Sequence, residues 1–588
     1  MSDKKLIHRF FPFLEWLPKV TRETLTSDLI AGITGTIISI PQSVAFAMIA
    51  GLPPIYGFYA SMVAPPIAAL FGSSNQMISG PTTAISIMSF ATIRHFADPS
   101  AQTALFVSLS ITIAFMVGVL QLLFGIFRMG KLVNFVSHTV VIGFTAGAGI
   151  LIAFKQLKHV FGLGVPQGTP LVGIVRYIIQ HFGETNWYVF AVAMGTLLSA
   201  ILLRLVLPKF YMLLAMIIGS LIAYFIGSDA HGIQTVGEIG SPIPPFVPPV
   251  LTWERVRMLT PGAIAIAILG LVEAVAIARA IALRTHQKID NNQEFIGQGL
   301  ANIVVSFFKG YVGSGSFTRS GVNAQAGART PLAAVFAAVF LVIVMIFFAP
   351  YAAYLPKPAM GGIILLVGYN LIDFHHIRRV IKSSKRETIV FLVTALGTMF
   401  IPRLEFAILL GVLASFVFYL ERTSSPNIAT MGLTPEGNFK NILRGDDVKQ
   451  CPQLKIVRID GSLYYGSVQT VADYFSYLET TDYKHVLIIA RGINFVDLAG
   501  AEWLSHEAQK WRGRGGGLYI ANLKLVAQDV LISGGFLQEI GLENFFIDKR
   551  EAIRYIFARL DKDVCASCVA RVFSECKSLP LGEDGVTV

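Results

Sequence analysis

Charge is scarce in this chain. Only 14% of its 588 residues are Asp, Glu, Lys or Arg, while 54% are hydrophobic and mean hydropathy is +0.63. An average soluble domain carries about 25% charged residues, so a wholly water-soluble globule is excluded. Cysteine is scarcer still: Cys451, Cys565, Cys568 and Cys576 are the whole complement, and a cytoplasmic location would keep them reduced. No GxxxxGK[ST] loop occurs, which excludes ATP hydrolysis as a driving force. His/Glu metal spacing and a nucleophile elbow are missing as well. Nothing points to an enzyme or to a cofactor. Cys565-x-x-Cys568 with Cys576 resembles half a zinc site, with Cys451 as the available fourth ligand, but reduced, unliganded thiols are the expected state. The basic, aromatic stretch 8–16 lacks a small-residue cleavage site, which argues against a signal peptide.

Apolar runs of about twenty residues fill the chain from Asp28 to near Leu420, after which the texture turns soluble. The net charge of +11 does not mark a nucleic-acid binder, because the cations sit between hydrophobic runs. Lys4, Lys5, Arg9, Lys19 and Arg22 precede the first run; Arg279, Arg284 and Lys288 cluster in one loop, and Arg378, Arg379, Lys382, Lys385 and Arg386 in another. This bias places the N-terminus in the cytoplasm, although Lys155, Lys158 and Arg403 fall on the expected outer side.

The expected organisation is a lead-in at 1–27, a first membrane repeat at 28–226, a proline-rich connection at 227–260, a second repeat at 261–421, a soluble α/β domain at 427–560 and a cysteine-containing tail at 561–588. The first span, 28–50, is interrupted by Pro41-Gln42-Ser43. Segment 171–182 is amphipathic and reads as a surface helix. About fourteen segments, seven per half, give two halves of opposite orientation, an inverted repeat. In each half the third segment is short and follows a helix-breaking turn: Ser79-Gly80-Pro81-Thr82-Thr83 in one, Gly313-Ser314-Gly315-Ser316 in the other. Non-helical backbone in a membrane survives only buried in protein or beside a watery cavity. Such paired breaks are the best sequence pointer to a transporter's site.

Three stretches have a familiar look: Ile40-Pro41-Gln42-Ser43-Val44-Ala45-Phe46-Ala47, Gly51-Leu52-Pro53-Pro54-Ile55-Tyr56-Gly57-Phe58-Tyr59 and Gly80-Pro81. They resemble the first three helices of the SulP (sulfate permease) anion transporters. Residues 269–279, with Glu273, resemble that family's eighth helix, and residues 315–323 its tenth. The soluble part resembles a STAS domain, marked by Ile493-Asn494-Phe495-Val496-Asp497-Leu498. The resemblance implies a seven-plus-seven inverted repeat of core and gate domains, homodimers, and anions such as sulfate, bicarbonate or dicarboxylates. It puts substrate-lining roles on Gln42, Phe46, Thr82, Thr318 and Arg319.

Two helix starts meeting at mid-membrane would each offer free N–H groups and about half a positive charge. Gly80, Gly313 and Gly315 allow close backbone approach, while Thr82, Thr83, Thr318 and Ser320 add hydroxyls. Gln42 can donate an amide N–H, and Phe46 can wall the pocket. Arg319, inside a membrane segment, is costly and therefore functional by default; the competing expectation is a structural ion pair with Glu273. Glu273 itself is expected to be the proton-coupling group, with the proton, or sodium, as co-ion. Asn302, Asn323 and Gln325 are expected to tie helices together. In the soluble part, Leu498 stands where STAS domains of the bacterial anti-sigma-antagonist type carry a phosphorylated Ser or Thr, so that switch is not expected. Secondary active transport leads over a channel of the same fold or a membrane-anchored signalling protein.

Overall fold

The structure, a computed structural model, describes residues 11–130, 137–166, 169–207, 210–228, 230–235, 240–352, 354–401, 404–434, 436–444 and 447–578. Lys4, Lys5, Arg9, Arg403 and the side chain of Arg284 lie outside what it describes. Contacts divide the chain into two units, Met1–Ser415 and Phe416–Val588.

The first unit is helical. Its helices are α1 (Arg22–Ile49), α2 (Pro54–Phe71), α3 (Thr83–Ile93), α4 (Thr103–Ile126), α5 (His138–Phe161), α6 (Leu171–Gln180), α7 (Trp187–Val206) and α8 (Tyr211–Ile226). There follow α9 (Trp253–Thr285), α10 (Asn291–Phe307), α11 (Phe317–Gln325), α12 (Leu332–Ala352), α13 (Lys357–Asn370), α14 (Phe374–Ser383), α15 (Lys385–Phe400) and α16 (Leu404–Ser424). Among the described residues, eight helices are long and apolar enough to cross a bilayer. The chain is a multi-pass membrane protein.

Two expectations about these helices need correction. Pro41 does not interrupt the first span; α1 runs through it. Proline removes one backbone N–H, and nearby the Ser43 hydroxyl donates to Ser39 O at 2.6 Å within the same helix. The fifth span, which the apolar run predicts to cover Val133–Phe154, extends to Phe161, so Lys155 and Lys158 are helical residues rather than loop cations. Gly162, at φ +68°, ends it in the left-handed conformation that favours glycine.

Small residues set the packing. A Cβ on Gly57 would stand 2.0 Å from Ser43 O, so α1 and α2 cross in backbone contact. Gly118 and Gly299 do the same for α4 and α10, and Gly147 for α5 and α15. With lipid as solvent, van der Waals packing of this kind replaces the hydrophobic drive between helices. Helices α1–α4 pack chiefly with α9–α12, whereas α5, α7 and α8 pack with α13 and α15.

The second unit is a six-stranded sheet flanked by helices. Strands β3 (Asn427–Leu433), β4 (Phe439–Asn441), β5 (Leu454–Asp460), β6 (His485–Ile489), β7 (Gly517–Ala521) and β8 (Phe545–Phe546) stand in the order β4-β3-β5-β6-β7-β8. From β5 to β8 the pairing is parallel, with β3 and β4 antiparallel at one edge. The apolar runs Leu454–Arg458, Val486–Ala490 and Gly517–Ala521, which the sequence predicts to be buried strands, correspond to β5, β6 and β7, whereas β3, β4 and β8 have no such run. Asp497 caps helix Leu498–Gly513 by accepting from Gly500 N at 2.9 Å, and Leu498 is exposed beside it. All four cysteines are free thiols around a single cavity of about 10 Å³. No three His, Cys, Asp or Glu side chains among the described residues stand in metal-holding geometry.

Candidate anion site

The two helix-breaking turns lie side by side. β1 (Ser79–Gly80) pairs antiparallel with β2 (Ser314–Gly315), with Ser79 opposite Gly315 and Gly80 opposite Ser314. Each short strand leads into a short helix with a hydroxyl at its N-cap. Thr82 accepts from Ile85 N at 3.4 Å at the start of α3, and Ser316 accepts from Arg319 N at 3.4 Å at the start of α11. Glycine is required here. A Cβ on Gly313 would lie 2.6 Å from the Gly80 carbonyl, and Gly80 adopts φ +150°.

Neighbouring helices hold this pair of turns in place. Asn302 of α10 accepts from Gly313 N at 2.8 Å and donates to Gly313 O at 3.0 Å and to Gln121 at 2.9 Å. Gln298 donates to Ser79 Oγ at 2.7 Å, and Ser314 Oγ to Gly270 O at 2.7 Å. Ser320 accepts from Ile78 N at 2.9 Å, so its hydroxyl serves the approach to β1. Asn323 likewise donates to Gln76 O at 2.9 Å. Unlike these, Thr318 is exposed on the first turn of α11.

Arg319 is fully buried. Its Nε donates to Gln42 Oε1 at 3.1 Å and its Nη1 to Ser61 Oγ at 3.0 Å, while the guanidinium carbon lies 5.9 Å from the Phe46 ring centroid. Ser61 and Ser43 are joined hydroxyl to hydroxyl at 2.7 Å. The remaining terminal nitrogen, Nη2, has no partner among the described residues. Burying unsatisfied guanidinium N–H groups is expensive, and both N–H groups of Nη2 stand open to an acceptor.

Glu273 is not its partner. The expected Arg319–Glu273 ion pair is absent; Glu273 instead accepts from the Thr82 hydroxyl at 3.0 Å. Gln42, Phe46, Thr82 and Thr83 are all buried, and the structure brings Gln42, Phe46 and Arg319 together, with Gly80 against the same guanidinium. Ser61 went unremarked in the sequence. A lone hydroxyl one turn after Gly57 in an alanine-rich span was the only signal available. An unpaired guanidinium N–H beside two helix starts can bind an oxyanion through one formal positive charge and the free backbone N–H groups of the helix ends.

Buried polar residues around two discontinuous helices define a membrane transporter rather than a bare anchor. A sulfate permease family model matches residues 25–394, and a STAS domain model matches residues 447–552. The chain belongs to the sulfate permease family. Sulfate transporter 4.1, chloroplastic, of Arabidopsis thaliana is 29% identical over 577 residues, covering 93% of this chain and 82% of that protein. Putative sulfate transporter YvdB of Bacillus subtilis (strain 168) is 30% identical over 526 residues, covering 88% and 95%. The overall structure of SLC26A9 superposes with TM-score 0.86 over 95% of this chain and 94% of its own, at 22% identity, a likeness of fold. The transmembrane domain of the cyanobacterial bicarbonate transporter BicA matches with TM-score 0.59 at 26% identity, covering 67% of this chain and 98% of its own.

Proposed function

We propose that this chain is a secondary active transporter that moves a small inorganic oxyanion, sulfate foremost, with a proton as the coupling ion. The observation that carries the reading is the partnerless Nη2 of buried Arg319, beside the paired starts of α3 and α11. Backbone N–H groups of both helices, with Thr82, Thr83 and Thr318, surround the anion; Gln42 fixes the guanidinium, and Phe46 forms an apolar wall. Arg319 and two helix ends sum to about +2, or about +1 with Glu273 ionised. Protonation of Glu273 thus suits the site to a dianion, which couples proton and anion. The sulfate transporters among its relatives favour sulfate over bicarbonate or a dicarboxylate.

Movement in this reading is elevator-like: the α1–α4/α9–α12 group slides as a core against the α5–α8/α13–α16 group as a gate. The protein works as a homodimer in the cell membrane, with its N-terminus and STAS domain in the cytoplasm. Labelled sulfate, bicarbonate and C4-dicarboxylate uptake into proteoliposomes tests the reading. Sulfate should accumulate against its gradient when the outside is acidified, and Arg319→Ala should abolish uptake. Equilibration without accumulation would indicate a channel or uniporter, and undiminished uptake by Arg319→Ala would remove the site.

A further inference from the structure

A second cationic chamber lies at the far end of the short helix α3. This cavity of about 300 Å³ opens among the C-terminal ends of α1, α3 and α5 and the segment leading into α6. Met48 and Ile49 line it, which places it at the end of α1 remote from Arg22, the outer end under the orientation proposed above. Ile87 in its wall is one turn beyond Thr83, and Met48 is two residues beyond Phe46. Its inner wall therefore begins about one helical turn from residues of the anion site.

Arg94, Lys155 and Lys158 contribute to its wall, beside the imidazole of His159. No Asp or Glu does so among the described residues. The nearby Asp98 carboxylate accepts from Ser100 N, Ser100 Oγ and Ala101 N. Arg94 and Lys155 also line an adjoining cavity of about 130 Å³, again without an acid in its wall.

Cations at helix C-termini complement the macrodipole. That accounts for Arg94, which caps α3, and for Lys158 in the last turn of α5. It does not account for Lys155. This ammonium lies deeper in α5, 5.2 Å from the Phe90 ring centroid, and no carboxylate is paired with it among the described ion pairs. A concave wall of one sign focuses the field and raises the local concentration of counter-ions.

We propose that this chamber is an outer anion-binding site, which holds a small oxyanion such as sulfate on Lys155 before it passes inward to Arg319. The inference rests on the transport reading above and adds an order of events at one face. Anion approaching from the opposite face does not meet the chamber first, so its loss acts asymmetrically.

The full-length protein in oriented proteoliposomes, supplied with labelled sulfate from one face at a time, tests this. Lys155→Gln should raise the half-saturating sulfate about tenfold from the outer face and less than about twofold from the inner face. Lys155→Arg should restore the wild-type value. An equal change at both faces, or none, overturns the proposal. Equilibrium binding of sulfate to purified Arg319→Ala protein, which lacks the central cation, provides the second measurement. Weak binding should survive there and vanish when Lys155→Gln is added; no surviving binding overturns the chamber whether or not transport is seen. Unimpaired transport by Arg319→Ala would instead sink the central site and leave the chamber to be judged by the Lys155 variants.

Discussion

A Cβ placed on Gly80 would stand 2.8 Å from Nη1 of Arg319, the nitrogen that donates to Ser61. The end of β1 therefore presses directly against the buried cation. Gly80 also holds φ +150°, a conformation that strains other residues by about 1–3 kcal/mol. Gly80→Ala should displace the guanidinium from Gln42 and Ser61. Anion uptake should fall at least about tenfold, the equivalent of roughly 1.4 kcal/mol, while the folded protein remains monodisperse in detergent. Uptake at the wild-type rate would show that this contact does not position Arg319.

Asn302 is the clamp on the second break. It satisfies both backbone groups of Gly313, and Asn302→Leu leaves the N–H and C=O buried without those partners. Each unsatisfied group costs about 1–3 kcal/mol. A clear drop in the thermal midpoint is expected, together with lost transport. Asn302→Asp keeps the acceptor for Gly313 N but loses the donor to Gly313 O, so it should fall between wild type and Asn302→Leu.

How far the sequence alone reaches can be judged from these same residues. The breaks at Gly80 and Gly313 were legible because Gly, Pro, Ser and Thr interrupt apolar runs, and the inverted repeat followed from an odd number of spans per half. Their pairing as β1 and β2 was not legible, since two-residue strands leave no periodicity. Nor were the partners of Arg319. A buried arginine invites an acid, and Glu273 was the available one, yet the guanidinium lies on neutral oxygens of Gln42 and Ser61. Helix register across tertiary contacts decides that, and no local pattern encodes it. In the soluble unit the buried strands β5, β6 and β7 were evident from apolar runs, while β3, β4 and β8 were too short or too mixed to stand out.

Cys451 offers a pH-dependent readout of the soluble unit. Burial raises its thiol to about 11, with the neighbouring Cys565 and Cys576 adding to the effect. Only the thiolate alkylates. Between pH 7 and 10 the thiolate fraction, and hence the rate of iodoacetamide labelling at Cys451, should rise about tenfold per pH unit. Mass spectrometry of the native protein checks this. Labelling already complete at pH 7 would mean that the cysteine cluster opens readily.

Asp497 holds the turn before the helix Leu498–Gly513 through Gly500 N and through Tyr465 N at 3.0 Å. Asp497→Ala removes the N-cap and should cost about 1–2 kcal/mol of stability in the soluble unit. Leu498→Ala, beside it but exposed, should cost well under 1 kcal/mol, the usual range for surface substitutions. The difference between the two, read from limited proteolysis of the full-length protein, separates the structural role of the aspartate from the exposed place where other domains of this type carry a hydroxyl.

Glu273 bears on coupling most directly. Its carboxylate accepts from Thr82 at the start of α3, so its charge is felt at the proposed anion site. Replacing it with Gln keeps an acceptor for Thr82 and removes the titration. In the proposed scheme the variant site stays permanently near +2, suited to a dianion at any pH. Glu273→Gln should then exchange sulfate for sulfate across the membrane as well as the wild type does. It should fail to build a sulfate gradient when an inward proton gradient is imposed. Accumulation by the variant equal to the wild type would transfer the coupling to another group and leave Glu273 as an N-cap partner alone.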